Sequence, residues 1–329
     1  MSNNKYFYNW ISSLKYAFKQ FGVNQFQIND RQPFLPRSDN NWIVQHSGIK
    51  KINYDGQGER VAVLDTGVDK NHIEIKGKVV DKCFMSKCND LDLTFDYSGH
   101  GTFCIGEIVS EHLGVAPRAT CLSAKILSGS GTSNNLHQLE KDLASAILYS
   151  CYDECGVISM SLGFPHKSSI VEDALKTAIS FGVIPIASAG NNGMSGSPYK
   201  FYPASFEDCI SVGIANEKNL PTWYSTAGQG NNPLEQPEIS IASLDFHWGI
   251  LPYDAYGQMS GTSIACPIVA GVALLWRQAM KEKGLMPTGK EVIKLFRKWL
   301  FSHAKDTNQN GWDNELGHGV LIFDSEDIL

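Results

Sequence analysis

The sequence predicts an α/β protein with a mostly parallel β-sheet flanked by helices on both faces. Short apolar runs of strand length alternate along the chain with longer segments of helical periodicity, which is the pattern of repeated β-α-β units. Thirty glycines among 329 residues suit the many tight turns of such a fold. Hydrophobic residues make up 43% of the chain and charged residues 19%, so a large core is expected and a disordered chain is excluded.

The first 41 residues are predicted to be an extension ahead of the main domain. Six apolar side chains recur at helical spacing and indicate an amphipathic helix over 7–21: Phe7, Trp10, Ile11, Leu14, Phe18 and Phe21. The charges of this segment are basic, which leaves a membrane-surface helix open. Lys15 and Lys19, with Lys5 just ahead of the helix, are a thin electrostatic anchor, so packing against the chain's own domain is the favoured interpretation. Prolines and polar residues in 30–41 indicate a linker, and the main domain is expected to span 42–329.

From Trp42 onward, predicted strands and helices alternate. Five short apolar runs are predicted strands: 60–64, 120–127, 156–162, 183–188 and 209–214. Three segments with apolar residues at helical spacing are predicted helices: 136–149, 170–181 and 264–280. In a parallel sheet, functional groups gather at the carboxyl ends of the strands. Asp65, Ser161 and Asn191 each lie at such a strand end.

Charge and cysteine content narrow the class of protein. The net charge of −6 is spread along the chain, which argues against a nucleic-acid partner. No run of 18 apolar residues occurs, so no transmembrane helix is expected, and no secretory signal peptide is recognised. Eight cysteines in such a chain are interpreted as free thiols of a cytoplasmic protein. The spacings Cys83-x4-Cys88 and Cys151-x3-Cys155 do not match a zinc site, so no metal is assigned.

Three short segments rich in glycine carry the candidate chemistry. They supply an aspartate, a histidine and a serine in that order: Asp65 in VAVLDTG, His100 in SGHGT and Ser263 in GTSIACP. A serine hydroxyl becomes an effective nucleophile when a base takes its proton and a third group orients that base. Taken alone, each residue has a plainer interpretation, as a turn cap at a strand end, a surface histidine and a helix N-cap serine. The chain order matches one of the three orders in which such triads occur.

These motifs resemble those of the subtilisin family of serine endopeptidases, the subtilases, from about Trp42 to the C-terminus. The resemblance implies a subtilisin-like fold in which Asp65 orients His100, His100 is the general base and Ser263 is the nucleophile. It also implies that Asn191, in ASAGNNG, stabilises the oxyanion. A turn asparagine is the plainer interpretation, and Asn192 is the competing position.

The resemblance further implies where substrate binds. Two segments are expected to clamp an extended peptide backbone: Ser161, Leu162 and Gly163 on one side, and Gly129, Ser130 and Gly131 on the other. The specificity pocket is expected against Ala189 and Gly190, with Phe201 near its floor, where glycine is usual in the family. With Lys200 beside it, we expect a shallow pocket that favours small or acidic side chains.

Two departures from the family pattern lead to further expectations. The run after His100, residues 103–117, is short and lacks the asparagines of the family's calcium loop. Calcium takes six to eight oxygen ligands, so the tight calcium site is predicted to be absent, while weaker sites stay open. About 41 residues precede the domain, fewer than the folded prodomain of secreted relatives. Residues 1–33 are instead expected to restrain activity, as a short N-terminal stretch does in intracellular members.

We therefore expect a cytoplasmic serine endopeptidase that acts on peptide or protein substrates and requires no cofactor. The alternative is a catalytically silent member that binds peptides or senses a partner. Intact Asp65, His100, Ser263 and Asn191 favour catalysis, because a binding protein needs none of them. A nucleotide-binding α/β protein is disfavoured, because neither G-x-G-x-x-G nor G-x-x-x-x-G-K-[ST] follows a predicted strand. The physiological substrate and the oligomeric state stay open.

Overall fold

A nine-stranded sheet forms the centre of the computed structural model, which describes residues 27–28, 41–88, 91–128, 135–193, 200–228 and 236–324. The strands are β1 (Gln27–Ile28), β2 (Arg60–Asp65), β3 (Val79–Cys83), β4 (Thr120–Lys125), β5 (Val157–Met160), β6 (Ile184–Ser188), β7 (Ile210–Ala215), β8 (Ile239–Ala242), β9 (His247–Leu251), β10 (Ala255–Met259), β11 (Ala304–Lys305) and β12 (Val320–Leu321). The α-helices are α1 (Trp42–His46), α2 (His100–Val109), α3 (Leu136–Tyr152), α4 (Ser169–Ser180), α5 (Thr262–Glu282) and α6 (Glu291–Ser302).

The order of strands across this sheet is β11-β12-β8-β7-β6-β5-β2-β4-β3. Neighbouring strands are parallel throughout, except for the antiparallel pair β11 and β12 at one edge. The predicted α/β fold with a mostly parallel sheet is therefore confirmed. Because β2, β5 and β6 are adjacent and parallel, the residues that follow them meet at one edge of the sheet.

Helices cover both faces of the sheet, and the central strand β2 shows how. Val61 and Val63 belong to a hydrophobic cluster that contains α2 and α5, whereas Ala62 and Leu64 belong to a second cluster that contains α3 and α4. All four side chains are at most 1% exposed. Burial on both faces explains why the strand is a continuous apolar run rather than an alternating one.

Helix α5 runs through the first of these clusters and carries the candidate nucleophile near its start. Eighteen consecutive residues, Thr262 to Ala279, are buried. Each fully buried aliphatic side chain stabilises the fold by about 1.5–3 kcal/mol, so the helix is firmly anchored. Within the described part of the chain, α5 alone is long and apolar enough to cross a membrane, but 94% of that apolar stretch is buried inside the domain, as in the core helix of a globular protein.

The predicted strands and helices coincide with observed ones to within a few residues. Other elements were not predicted from the apolar pattern. Among them are the β9–β10 hairpin and β3, whose side chains are all partly or fully exposed. Helix α6 buries four side chains on one face and was not predicted either: Val292, Ile293, Phe296 and Leu300. The predicted helix over 7–21 lies outside the described residues, as does nearly all of the predicted linker.

A second, three-stranded sheet lies beside the start of α5. Strands β9 and β10 form an antiparallel hairpin, and β1 pairs antiparallel with β10, placing Gln27 opposite Gln258 and Ile28 opposite Gly257. Strand β10 leads directly into Gly261 and the first turn of α5. The one described part of the N-terminal extension ahead of Asn41 is thus joined to the strand that precedes the candidate nucleophile.

Candidate active site

The centre of the site is a buried hydrogen bond between Asp65 and His100. Asp65 is the last residue of β2, and His100 is the first residue of α2. The imidazole Nδ1 lies 2.7 Å from Asp65 Oδ1, and the two residues are 0% and 1% exposed. The backbone N–H of Thr66 also donates to Asp65 Oδ1, at 2.8 Å, which fixes the carboxylate. With its proton at Nδ1, the imidazole presents Nε2 as a base.

Glycines bring the two motifs into backbone contact. A Cβ placed on Gly101 would lie 2.3 Å from the carbonyl oxygen of Gly67, and a Cβ on Gly67 would lie 2.4 Å from the carbonyl oxygen of Thr94. Gly99, the N-cap of α2, has φ +85°, a left-handed conformation that favours glycine. Close backbone contacts therefore require glycine at positions 67 and 101, and the left-handed conformation favours it at position 99.

Two carboxylates act on the titration of His100. Burial opposes the charged imidazolium, but the adjacent Asp65, through its charge and its hydrogen bond, and the more distant Asp96, through its charge, raise the pKa of His100 above its ordinary value. These carboxylates therefore stabilise the imidazolium that forms when His100 accepts a proton.

The backbone of Ser263 is held by side chains rather than by its own helix. Pro267 has no N–H, so it cannot donate to the carbonyl of Ser263 four residues earlier. That carbonyl instead accepts from Ser161 Oγ at 2.8 Å and from Cys104 Sγ at 3.5 Å. Cys104 Sγ also lies 3.9 Å from His100 Nδ1, so one thiol contacts both residues. Burial and then Asp65 raise the pKa of Cys104 well above its ordinary value, which keeps the thiol protonated.

Asn191 follows β6 and lies against the turn that precedes Ser263. Its Oδ1 accepts from the backbone N–H of Thr262 at 2.9 Å and from Thr262 Oγ1 at 3.0 Å. A Cβ on Gly261 would lie 3.0 Å from Asn191 Nδ2, so only glycine lets the amide come this close. The amide is therefore oriented with its nitrogen beside the turn that precedes Ser263. Asn192, the competing position, has an exposed side chain.

The structure describes one of the two segments that are expected to bind substrate, residues 161–163. Ser161 is 2% exposed and Leu162 is 8% exposed, while Gly163 is exposed. The hydroxyl of Ser161 is used on Ser263, and Leu162 belongs to the hydrophobic core, so Gly163 is the one that offers accessible surface. The expected opposite segment, Gly129, Ser130 and Gly131, lies outside the described residues.

Phe201 lies between the segments that follow β5 and β6. A Cβ on Gly190 would lie 3.0 Å from Phe201 Cδ2, and a Cβ on Gly163 would lie 3.4 Å from Phe201 Cβ. Gln236 fixes this arrangement, because its Oε1 accepts from the Phe201 N–H at 3.2 Å and its Nε2 donates to the carbonyl of Ala189 at 3.0 Å. The aromatic ring therefore occupies space between the two glycine-bearing walls.

Sequence reasoning missed several residues that support the site. Gln236 is distant in sequence from every motif, and no local signal marks it. Asp96 lies four residues before His100 and accepts hydrogen bonds at the start of α2. An aspartate shortly before a predicted helix is a capping signal, so Asp96 could have been found.

Two features of this region concern metal binding: a cluster of side chains that could hold a metal ion, and the hydrogen bonds of Glu74 near the loop after α2. Within the described ranges, one group of metal-binding side chains has ligand atoms within 4.8 Å of one another, and it is formed by Asp65, His100 and Cys104. The loop after α2 is tied to Glu74, whose carboxylate accepts from Ser110 Oγ at 2.8 Å and from His112 Nδ1 at 2.9 Å. Burial would raise the pKa of Glu74, but these donors lower it below its ordinary value.

The fold and this geometry define an α/β protein in which a buried aspartate–histidine pair and the serine near the start of α5 share contacts with Cys104 at the carboxyl edge of a parallel sheet. The chain belongs to the subtilase family, whose profile matches residues 56–319. The resemblance in the sequence is thereby confirmed.

Individual relatives agree with this assignment. Subtilisin E of Bacillus subtilis (strain 168) is 33% identical over 238 residues, which cover 70% of this chain and 58% of the relative. Subtilisin of Bacillus pumilus is 33% identical over 238 residues, covering 70% and 81%. The major intracellular serine protease of Bacillus subtilis (strain 168) is 32% identical over 236 residues, covering 69% and 70%. The chain thus spans a little over half the length of several subtilisins that it matches.

Proposed function

We propose that this protein is a serine endopeptidase that hydrolyses peptide bonds in peptide or protein substrates. The buried Asp65–His100 hydrogen bond, formed beside the turn that carries Ser263, is the observation that carries the proposal. Relatives named as subtilisins and as an intracellular serine protease support it. A silent peptide-binding protein would have no use for a buried, oriented imidazole, so catalysis is favoured over that alternative.

The geometry supports a mechanism in two stages. His100 Nε2 takes the proton of Ser263 Oγ as the oxygen attacks the substrate carbonyl, and Asp65 stabilises the imidazolium through Nδ1–H. The imidazolium then gives its proton to the leaving amine, and an acyl group stays on Ser263. Water, deprotonated by the same imidazole, attacks the acyl carbon, the bond from that carbon to Ser263 Oγ breaks, and the imidazolium returns the proton to Ser263 Oγ as the carboxylic acid leaves.

Negative charge that develops on the substrate oxygen is met by donors near the start of α5. The amide nitrogen of Asn191 lies beside Gly261, and the backbone N–H groups of the first helical turn lie at the positive end of the helix dipole. A side-chain donor in this role contributes about 10²–10³ in kcat. Asn191 is therefore assigned to oxyanion stabilisation.

The proposal includes no metal requirement. Support comes from Glu74, whose two carboxylate oxygens are both occupied by protein donors from Ser110, His112 and Tyr256. A carboxylate already satisfied in this way has little need of a cation next to the loop that follows α2. We expect a calcium chelator to leave both the hydrolysis rate and Tm unchanged. A fall in Tm of several degrees, restored by calcium, would contradict this part of the proposal.

A cytoplasmic location is part of the same proposal. All eight cysteines are free thiols, and the likeness to a relative named as intracellular points the same way. Fractionation of the producing cells tests it, and recovery of the protein mainly outside the cytoplasm would contradict it.

Hydrolysis of an unstructured protein such as casein tests the central activity. We expect the wild type to cleave casein and Ser263→Ala to lose at least about 10³-fold in rate, because the nucleophile is removed. Ser180→Ala is the matched control, since Ser180 is an exposed serine at the end of α4 whose hydroxyl donates to the carbonyl of Thr177. Equal rates for the wild type and Ser263→Ala would contradict the proposal.

A further inference from the structure

Asp96 is a buried carboxylate that the mechanism above does not use. It lies four residues before His100, in the segment that leads into α2, and its side chain is 0% exposed. A buried carboxylate is expensive unless several donors satisfy it. The hydrogen-bond donors that contact Asp96 therefore indicate its role in the fold.

Four donors converge on the two oxygens of Asp96. Oδ1 accepts from Thr66 Oγ1 at 2.8 Å, from the Ser98 N–H at 3.0 Å and from the Gly99 N–H at 2.8 Å. Oδ2 accepts from the Thr102 N–H at 2.7 Å. Three of these donors are backbone groups around the first turn of α2, where helix N–H groups have no partner within the helix. Asp96 thus caps the helix that begins with His100.

The fourth donor connects this cap to Asp65. Thr66 is the next residue after Asp65, and its Oγ1 donates to Asp96 while accepting from the Gly101 N–H at 2.9 Å. The backbone N–H of the same Thr66 donates to Asp65 Oδ1. One carboxylate therefore joins the turn that holds Asp65 to the helix that holds His100.

The charge of Asp96 also reaches the imidazole. Its four described contacts are neutral donors that favour the carboxylate form, but burial outweighs them and raises the pKa of Asp96 above its ordinary value. Among the described residues, Asp65 and Asp96 raise the pKa of His100, and the nearby Cys104 thiol, whose own pKa is raised well above its ordinary value, is neutral. Asp96 therefore adds to the effect of Asp65 in favouring the imidazolium form of His100.

We propose that Asp96 is a positioning residue for the general base, which holds His100 in line with Asp65 through Thr66 and the first turn of α2. This inference rests on the proposed peptidase function. It assigns to Asp96 no contact with substrate: Asp96 acts through His100.

Asp96→Asn tests the proposal with little change in shape. The asparagine amide keeps one acceptor oxygen but replaces the other with an N–H₂ group. That group can only donate, so the hydrogen bonds accepted by the replaced oxygen are lost. We expect kcat for a peptide anilide to fall about 10–100-fold with KM changed less than about threefold, since a small misplacement of a catalytic group has such an effect. The acid limb of the pH profile of kcat/KM should move to lower pH by about 0.5–1 unit, because a negative charge near the imidazole is lost. Asp92→Asn, which removes the same charge from an exposed position of the same loop, should change neither quantity.

The outcomes separate this inference from the proposed function. Rates are normalised to the number of sites that react with a fluorophosphonate, so a loss of folded protein alone leaves kcat per site unchanged. Wild-type kcat and an unmoved acid limb in Asp96→Asn would overturn the positioning role while leaving the peptidase proposal intact. An inactive wild type whose Ser263 does not react would overturn the peptidase proposal itself.

Thr66→Val keeps the inference testable if Asp96→Asn does not fold. The valine is close in size to threonine but removes the hydroxyl that joins Asp96 to Gly101. We expect kcat to fall about tenfold with KM nearly constant. Thr66→Ser, which restores the hydroxyl, should recover most of the lost rate. Equal kcat for Thr66→Val and the wild type would overturn the link between Asp96 and the base.

Discussion

At the scale of single residues, the site depends on donors and acceptors that are fixed before substrate arrives. Asp65 holds the His100 proton at Nδ1, and Thr262 holds the amide of Asn191. The carbonyl of Ser263, which has no helical partner because of Pro267, is held by Ser161 and Cys104. Such preorganisation lets the charges of the transition state meet groups that need not reorient.

The pH dependence of activity follows from the titration of His100. The base must be neutral to accept the serine proton, and the pKa of His100 is raised above its ordinary value of 6.5 by Asp65 and Asp96 against the effect of burial. Activity should therefore fall as the pH drops through this raised pKa, with a midpoint above 6.5. Measuring kcat/KM of the wild type from about pH 5 to about pH 9 checks this. A midpoint well below the ordinary histidine value would contradict it.

At the scale of elements, adjacent parallel strands place the groups of the site. Asp65 ends β2, Ser161 follows β5 and Asn191 follows β6, and these strands are neighbours in the sheet. Helices α2 and α5 then supply His100 and Ser263 from their first turns. The site is thus assembled where strands end and helices begin, which is the usual place for function in this fold class.

The position of Phe201 leads to a prediction about specificity. Its ring stands close to Gly163 and Gly190, so it fills space that a large substrate side chain would need. We expect the wild type to prefer small residues, or acidic ones near Lys200, on the amino side of the cleaved bond. Phe201→Gly should raise kcat/KM for phenylalanine relative to alanine by at least about tenfold, since pocket volume gives discrimination of this size.

A peptide library that varies this one substrate position measures the effect. The ratio of two kcat/KM values does not depend on the fraction of active enzyme, so a partly folded variant is still informative. Phe181→Ala is a matched control, because it removes a phenylalanine that is 71% exposed at the end of α4. A wild type that strongly prefers large aromatic residues would refute the filled pocket.

The core of the fold could be predicted from sequence, because buried parallel strands are unbroken apolar runs. Strand β3, with every residue at least partly exposed, carries no such signal. The buried pair of Asp65 and His100 could be predicted because both residues lie in compact glycine-rich motifs. Gln236, which fixes Phe201, could not be predicted, because it is distant from the motifs in sequence and approaches the site only in the folded chain. The position of Ser161 at a strand end could be predicted, but its hydrogen bond to the Ser263 carbonyl could not, because that bond depends on how the chain folds.

At the scale of the whole molecule, the described residues of the N-terminal extension ahead of Asn41 pair with the strand that leads to Ser263. Gln27–Ile28 pairs with β10, which ends four residues before Ser263. We expect residues 1–33 to restrain activity, because Gln27–Ile28 pairs with the strand that leads into the turn before Ser263. A chain lacking residues 1–33 should hydrolyse casein faster than the full chain, at equal concentrations of folded protein. The expectation fails if the shortened chain is folded and no faster.

The central claim is that Ser263 is the nucleophile activated by His100. Mapping the site of a fluorophosphonate adduct by peptide mass spectrometry tests this claim most directly, on the wild type, His100→Ala and Ser263→Ala. We predict one adduct on Ser263, much slower labelling in His100→Ala, and no adduct in Ser263→Ala. An adduct on another serine of the wild type, with Ser263 unmodified, would contradict the account.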